Sequence, residues 1–266
     1  MPWAPVNGID LYYEVHGSGP HLLFAHGQGG NHLSWWQQVP FFSRFYTCIT
    51  FDHRAFGFSR DTDERGRLSF GADAIGLLDY LGVGDVRVVA HSMGGRTALP
   101  IALRAAERCR AVVFAGTNGG VTSHAIRALQ RKAAEARGER GLGAFSVADA
   151  FREAEPQLDF LLRQISRLNP PRPADFLRTP NPSRQPRGDV AERLALTGIP
   201  LLFVVGEHDM ITPPPLIEAC HALLTGSQLH VVPGSGHSAY FEKPVEFNEV
   251  VLRFLREVDA DSLASK

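Results

Sequence analysis

Cysteine is scarce in this chain: three occur in 266 residues, and Cys48, Cys109 and Cys220 lie far apart. An odd, scattered set gives neither a disulfide framework nor a C-x-x-C metal pair. Cys48 within Y-T-C-I-T-F and Cys109 at the start of another apolar run read as small buried hydrophobes. A reducing cytoplasm is the expected compartment. An excess of one charge is also missing. Lys plus Arg number 27 against 28 Asp plus Glu, a net charge of -1, so no field exists to recruit nucleic acid or an anionic membrane. No apolar run approaches the ~18 residues of a bilayer-spanning helix. The opening M-P-W-A-P-V-N-G has neither the basic nor the apolar region of a secretory signal. No His, Asp or Glu cluster has metal-ligand spacing, so neither a metal nor another cofactor is called for.

What is present is an apolar fraction of 44% with 21% charged residues, enough for one large α/β domain or a core carrying an insertion. Residues Val6, Ile9, Leu11, Tyr13 and Val15 alternate around the turn signal Asn7-Gly8, which predicts an antiparallel hairpin at a sheet edge. Short unbroken apolar runs follow at Leu22–Ala25, Thr47–Phe51, Val86–Ala90, Ala111–Ala115, Leu201–Val205 and Leu229–Val232. Runs that do not alternate suit strands covered on both faces, as in a parallel sheet. Helical periodicity lies between them over Ser69–Leu81, Gly94–Arg108 and Pro244–Val258. The alternation predicts a doubly wound, mostly parallel sheet. Residues 119–193 break it: helical over Ser123–Arg137, then rich in Pro and Arg, with no convincing strand. They are expected to form a helical cap inserted into a core of residues 1–118 and 194–266. The arginines there read first as a solvated helix face and second as substrate contacts.

The chemistry sits at strand ends. A-H-S-M-G-G follows the Val86–Ala90 strand, with small residues Ala90 and Gly94 two places either side of Ser92. A sharp strand-to-helix turn needs that spacing, and it presents the serine hydroxyl at the sheet's carboxyl edge. H-G-Q-G-G (His26–Gly30) follows the Leu22–Ala25 strand; its glycine spacing does not fit a dinucleotide loop. The backbone N–H groups of Gln28 and Met93 are the expected donors to an oxyanion. Asp209 ends the Leu201–Val205 strand in V-V-G-E-H-D, and His237 lies in P-G-S-G-H-S after the last strand. Serine requires a base and the base an orienting acid, roles expected of His237 and Asp209. His91 is expected to turn away from Ser92 and pack, His26 to brace its loop, and His208 to stay out of the chemistry. His53, His221 and His230 show no partner pattern, and Asn118 lacks the carboxylate an orienting acid needs. Trp35, Trp36, Phe56, Met93 and Tyr240 are expected to border a pocket.

These signals together make the chain resemble the α/β-hydrolase superfamily over nearly its whole length. The likeness is to esterases, enol-lactonases and carbon–carbon bond hydrolases with a helical cap. F-D-H-R-A-F-G-F-S (Phe51–Ser59) matches that family's D-x-R-G-x-G-x-S turn, with Ala55 where a glycine stands. The resemblance implies an acyl-enzyme on Ser92 formed from a small to medium carboxylic ester or lactone. The alternatives it leaves are hydrolysis of a carbon–carbon bond in a ring-cleavage product, a perhydrolase or haloperoxidase side activity, or a hydrolase-like small-molecule sensor. A small-molecule substrate is the expected partner, with neither nucleic acid nor membrane; monomer and homodimer both stay open.

Overall fold

The computed structural model describes residues 2–173, 176 and 189–264. Most of the Pro- and Arg-rich stretch therefore lies outside the described residues. Eight strands form one sheet: β1 (Trp3–Val6), β2 (Ile9–His16), β3 (His21–Ala25), β4 (Thr47–Phe51), β5 (Val86–His91), β6 (Cys109–Ala115), β7 (Leu201–Gly206) and β8 (Gln228–Val232), in the order β1-β2-β4-β3-β5-β6-β7-β8. β1 and β2 are the expected antiparallel hairpin, and β2 also runs antiparallel to β4. From β4 through β8 every pairing is parallel. The expected doubly wound sheet is what forms.

The helices are α1 (Phe70–Tyr80), α2 (Gly95–Arg104), α3 (His124–Arg137), α4 (Asp149–Ala154), α5 (Pro156–Arg167), α6 (Val190–Leu196), α7 (Pro214–Ala222) and α8 (Pro244–Ala264), with single helical turns between some of them. Neighbouring strand residues face opposite ways. Leu23, Ala25, Val88 and Ala90 pack with Ala74 and Leu77 of α1 and Ala98 and Ile101 of α2. Leu22, Phe24 and Val89 pack on the other face with Phe247, Val251 and Leu255 of α8. Two covered faces explain why the strand sequences do not alternate. Each fully buried Leu, Val or Phe contributes about 1.5–3 kcal/mol. Cys48, Cys109 and Cys220 are buried free thiols in this core, and burial pushes each up to about 12.

Helix ends follow local chemistry. Ser123 accepts the Ile126 N–H and starts α3. α2 stops at Arg104, short of the expected Arg108, because Ala105 leaves helical geometry at φ -134°, ψ 42°. α8 runs past the expected Val258 to Ala264. Asp259 lies in that extension and accepts from Arg87 Nε of β5 at 2.8 Å and from the Tyr46 hydroxyl at 3.0 Å. Between β6 and β7 the described residues hold α3 to α6 and no strand.

The turn after β4 is organised by buried charge. Arg54 is fully buried, with Nε and Nη2 on the two oxygens of Asp73 at 2.6 and 2.8 Å. Asp52 accepts the N–H groups of His32 and Phe58. Ala55, where the resembled family has glycine, sits at φ 63°. That region costs a residue bearing a Cβ about 1–2 kcal/mol. Ala55→Gly is therefore expected to stabilise the protein by about 1 kcal/mol, read as a higher urea midpoint at unchanged slope. A lower midpoint would mean that the alanine methyl contributes more packing than its strain costs.

Candidate active site

Ser92 stands between β5 and α2 at φ 50°, a left-handed conformation that a non-glycine residue adopts only when its surroundings enforce it. The surroundings are tight. Ala90 pairs with Ala25 of β3, and a Cβ on Gly94 would run into the Ala25 carbonyl. Met93 lies in the first helical turn after the serine, where N–H groups have no intrahelical acceptor.

Asp209 and His237 follow β7 and β8, whose parallel pairing brings the two loops together. His237 Nδ1 lies 2.8 Å from Asp209 Oδ2, and its Nε2 lies 2.9 Å from Ser92 Oγ. Asp209 is buried; Ile211 N–H and Thr212 N–H donate to its Oδ1 at 2.7 and 2.9 Å, and the Thr212 hydroxyl to its Oδ2 at 2.8 Å. Burial pushes its carboxyl up, but the His237 ring and Thr212 outweigh that and leave it below its usual value. An ionised Asp209 only accepts, so the His237 proton sits on Nδ1 and Nε2 is free to accept from Ser92.

Two further groups hold the His237 loop, and the sequence signalled neither. Glu242 Oε2 accepts the N–H of Gly236 and of Ala148, each at 2.9 Å, tying the loop to the start of α4. Burial raises the Glu242 carboxyl above its usual range. His91 does not simply turn away to pack: its Nε2 lies 3.1 Å from the His237 carbonyl, and the ring lines the cavity over Ser92. Thr212, three residues after Asp209, is the one bracing residue a turn motif could have flagged.

His26 braces the loop that holds Gln28. Its Nδ1 is 2.8 Å from the Gly27 carbonyl, while its Nε2 accepts from the His53 N–H at 3.1 Å and faces His53 Nδ1 at 2.9 Å. Thr97 Oγ1 closes the chain at 2.7 Å from His53 Nε2. His53 thus has partners that its sequence context did not reveal; so have His221, with Ser227, and His230, with Glu246. His208 is exposed beside Glu207. Asn118 closes a turn through the Val121 carbonyl.

Burial holds three of these rings neutral. It lowers His26 to about 4, His53 well below its usual value, and, with the neighbouring His237 ring adding to it, His91 to about 3. Their unfolded counterparts titrate at about 6.5. As pH falls below that value the unfolded chain takes up protons that the fold refuses, so stability is full above it and drops with acid. Each ring adds roughly 1.4 kcal/mol per pH unit to the slope. Denaturant midpoints are expected to fall steeply between pH 6.5 and 5, and His53→Gln to flatten the fall by about one proton. A flat profile in wild type would mean that the rings are protonated in the fold.

A cavity of about 370 Å³ opens over Ser92, with Gln28, His91, His237 and Tyr240 in its wall. The region between β6 and β7 contributes Leu142, Leu162, Arg163, Ser166 and Arg172. Of the aromatics expected at a pocket, Tyr240 reaches it. Trp35 does not; it is fully buried in the core against Phe24 and Tyr240. Trp36 is partly exposed beside Phe241. Phe56 and Met93 are buried with Phe70 in a small cluster outside the lining. Their loops lie at the right sheet edge, but the direction of each ring is set by packing. Among the described residues no group of three His, Cys, Asp or Glu could hold a metal, and no helix is long and apolar enough to cross a membrane.

Comparison with known proteins finds relatives along nearly the whole chain. A family model described as alpha/beta hydrolase fold matches residues 20–244. The chain is 28% identical to a putative carbamate hydrolase, RutD, of Azorhizobium caulinodans, over 97% of this chain and 100% of that one. Among solved structures, an enzyme described as degrading N-acyl homoserine lactone superposes with a TM-score of 0.75 at 25% identity, covering 95% of this chain and 100% of that one. A thermophilic esterase from Thermogutta terrifontis superposes with a TM-score of 0.77 over 96% of this chain and 98% of that one; at 23% identity it is similar in fold alone.

Proposed function

The chain belongs to the alpha/beta hydrolase fold family, and from that premise we propose that it is a serine hydrolase cleaving small to medium carboxylic esters or lactones through an acyl-enzyme on Ser92. One observation carries the reading: the unbroken chain Asp209–His237–Ser92 ends at a strained serine that faces a cavity. The lactone and carbamate named for the relatives share an acyl carbon bonded to a heteroatom leaving group, which is what such a serine attacks.

His237 Nε2 takes the Ser92 proton as Oγ bonds to the carbonyl carbon, and Asp209 stabilises the imidazolium that forms. The carbonyl oxygen becomes an anion, received by the N–H groups of Gln28 and Met93. Gln28 N–H has no backbone acceptor among the described residues. Each such donor contributes about 3–4 kcal/mol to the transition state. His237 then returns the proton to the leaving oxygen, and a water that it activates releases the acid. In this reading residues 119–193 form a cap that walls the cavity through Leu142, Leu162 and Ser166. The substrate is a small molecule, and besides the attacking water the reaction draws on side chains and backbone of this chain.

The test is intact-mass analysis after treatment with an alkyl fluorophosphonate, alongside hydrolysis of p-nitrophenyl acetate, butyrate and octanoate. One adduct mapping to Ser92, with turnover lost in step, is the expected result. Turnover that survives full labelling of Ser92, or labelling elsewhere, overturns the reading.

A further inference from the structure

The cavity over Ser92 contains a guanidinium that the hydrolysis described above does not use. Arg172 lies with Cζ 3.9 Å above the Phe56 ring centroid. Its Nη1 donates to the Ala55 carbonyl at 3.0 Å and the Pro170 carbonyl at 3.3 Å. Stacking plus two carbonyls fix the plane of the group, and prolines at 170, 171 and 173 stiffen its backbone. The donors on Nε and Nη2 have no acceptor among the described residues. Nor does any described carboxylate lie within ion-pair distance.

Two other cations of this region are neutralised. Arg163, also in the cavity wall, pairs with Asp159 at 2.8 Å. Arg54 is surrounded by Asp61, Asp63 and Asp73. Among the described residues no Asp or Glu contributes to the wall of this cavity. Arg172 is half-buried, and that burial lowers its pKa with no carboxylate among the described residues to restore it. A cation partly stripped of water and left unpaired is costly, and an arriving anion relieves the cost. The open fork matches two carboxylate oxygens side by side.

We propose that Arg172 binds a carboxylate of the substrate, so that Ser92 acts preferentially on an ester or lactone bearing a second, ionised acid group. The proposal rests on the serine-hydrolase reading and deepens it. Arg172 is a specificity-determining residue, with Phe56 as its platform: that ring, expected in the pocket wall, acts from beneath the arginine.

The experiment compares kcat/KM for p-nitrophenyl butyrate with the mono-p-nitrophenyl esters of succinic, glutaric and adipic acid, in wild type, Arg172→Met and Arg172→Lys. Wild type is expected to favour one of the acidic esters, and the preferred length reads the span from Ser92 to Arg172. The ratio of acidic to neutral ester is expected to fall about 10- to 100-fold in Arg172→Met and less in Arg172→Lys, which keeps the charge but loses the fork. Using a ratio within each protein removes any change in the amount folded. An unchanged ratio, or a wild type that prefers the neutral ester, overturns the inference and leaves the serine-hydrolase reading standing. If no ester is cleaved, that reading fails instead. Calorimetric titration with glutarate then decides the inference: binding that weakens at least 10-fold in Arg172→Met sustains it, and equal or absent binding overturns it.

Discussion

Ser92→Ala is expected to lower kcat for p-nitrophenyl butyrate by about a million-fold while leaving the protein folded. The magnitude follows from covalent catalysis: removing the nucleophile disables base and acid together, and only binding and the oxyanion donors remain. The fold has little at stake, because Ser92 Oγ bonds to His237 alone among the described residues, and alanine keeps the Cβ that the turn already accommodates. Thermal unfolding within a few degrees of wild type, together with steady-state rates and active-site titration, checks both halves. Residual activity above about 1% of wild type would move the nucleophile elsewhere.

Asp209→Asn is expected to cost about 10⁴-fold in kcat, with KM little changed. The geometry gives the reason. Oδ1 accepts two backbone N–H groups, from Ile211 and Thr212, so the remaining oxygen of an asparagine is held on that side. Its NH₂ then occupies the position of Oδ2 and faces His237 Nδ1. Two donors cannot meet, so the ring takes the other tautomer and Nε2 carries the proton that it should accept from Ser92. Stopped-flow rates across pH 6–9 test this, since a tautomer defect lowers the plateau. A loss below tenfold would show that another group orients His237.

The strand-to-serine turn was legible because its requirements are local. A strained backbone needs Ala90 and Gly94 where they stand, whatever the rest of the chain does. Asp209 and His237 were legible because each follows an apolar run whose end lies at one edge of a parallel sheet. Trp35 and Phe56 were misread for a related reason: a loop's position says which edge it occupies, not which way a ring turns. Trp35 completes the core against Phe24 and Tyr240, and Phe56 lies below Arg172. Glu242 and His91 carried no signal, because the groups they hold, Gly236, Ala148 and the His237 carbonyl, are distant in sequence except for Gly236.

The sequence by itself determined the layered sheet, the order of its elements and the three side chains at its carboxyl edge, since hydrophobic period and turn chemistry act over a few residues. Tertiary structure alone decided that Asp209 and Thr212 fix the His237 tautomer, that His26, His53 and Thr97 form a buried neutral chain, and that Arg172 borders Ser92's cavity with no carboxylate partner among the described residues. Those outcomes depend on which side chains converge from separate elements, and on how much water burial removes from each. Neither quantity is carried by any local stretch of the chain.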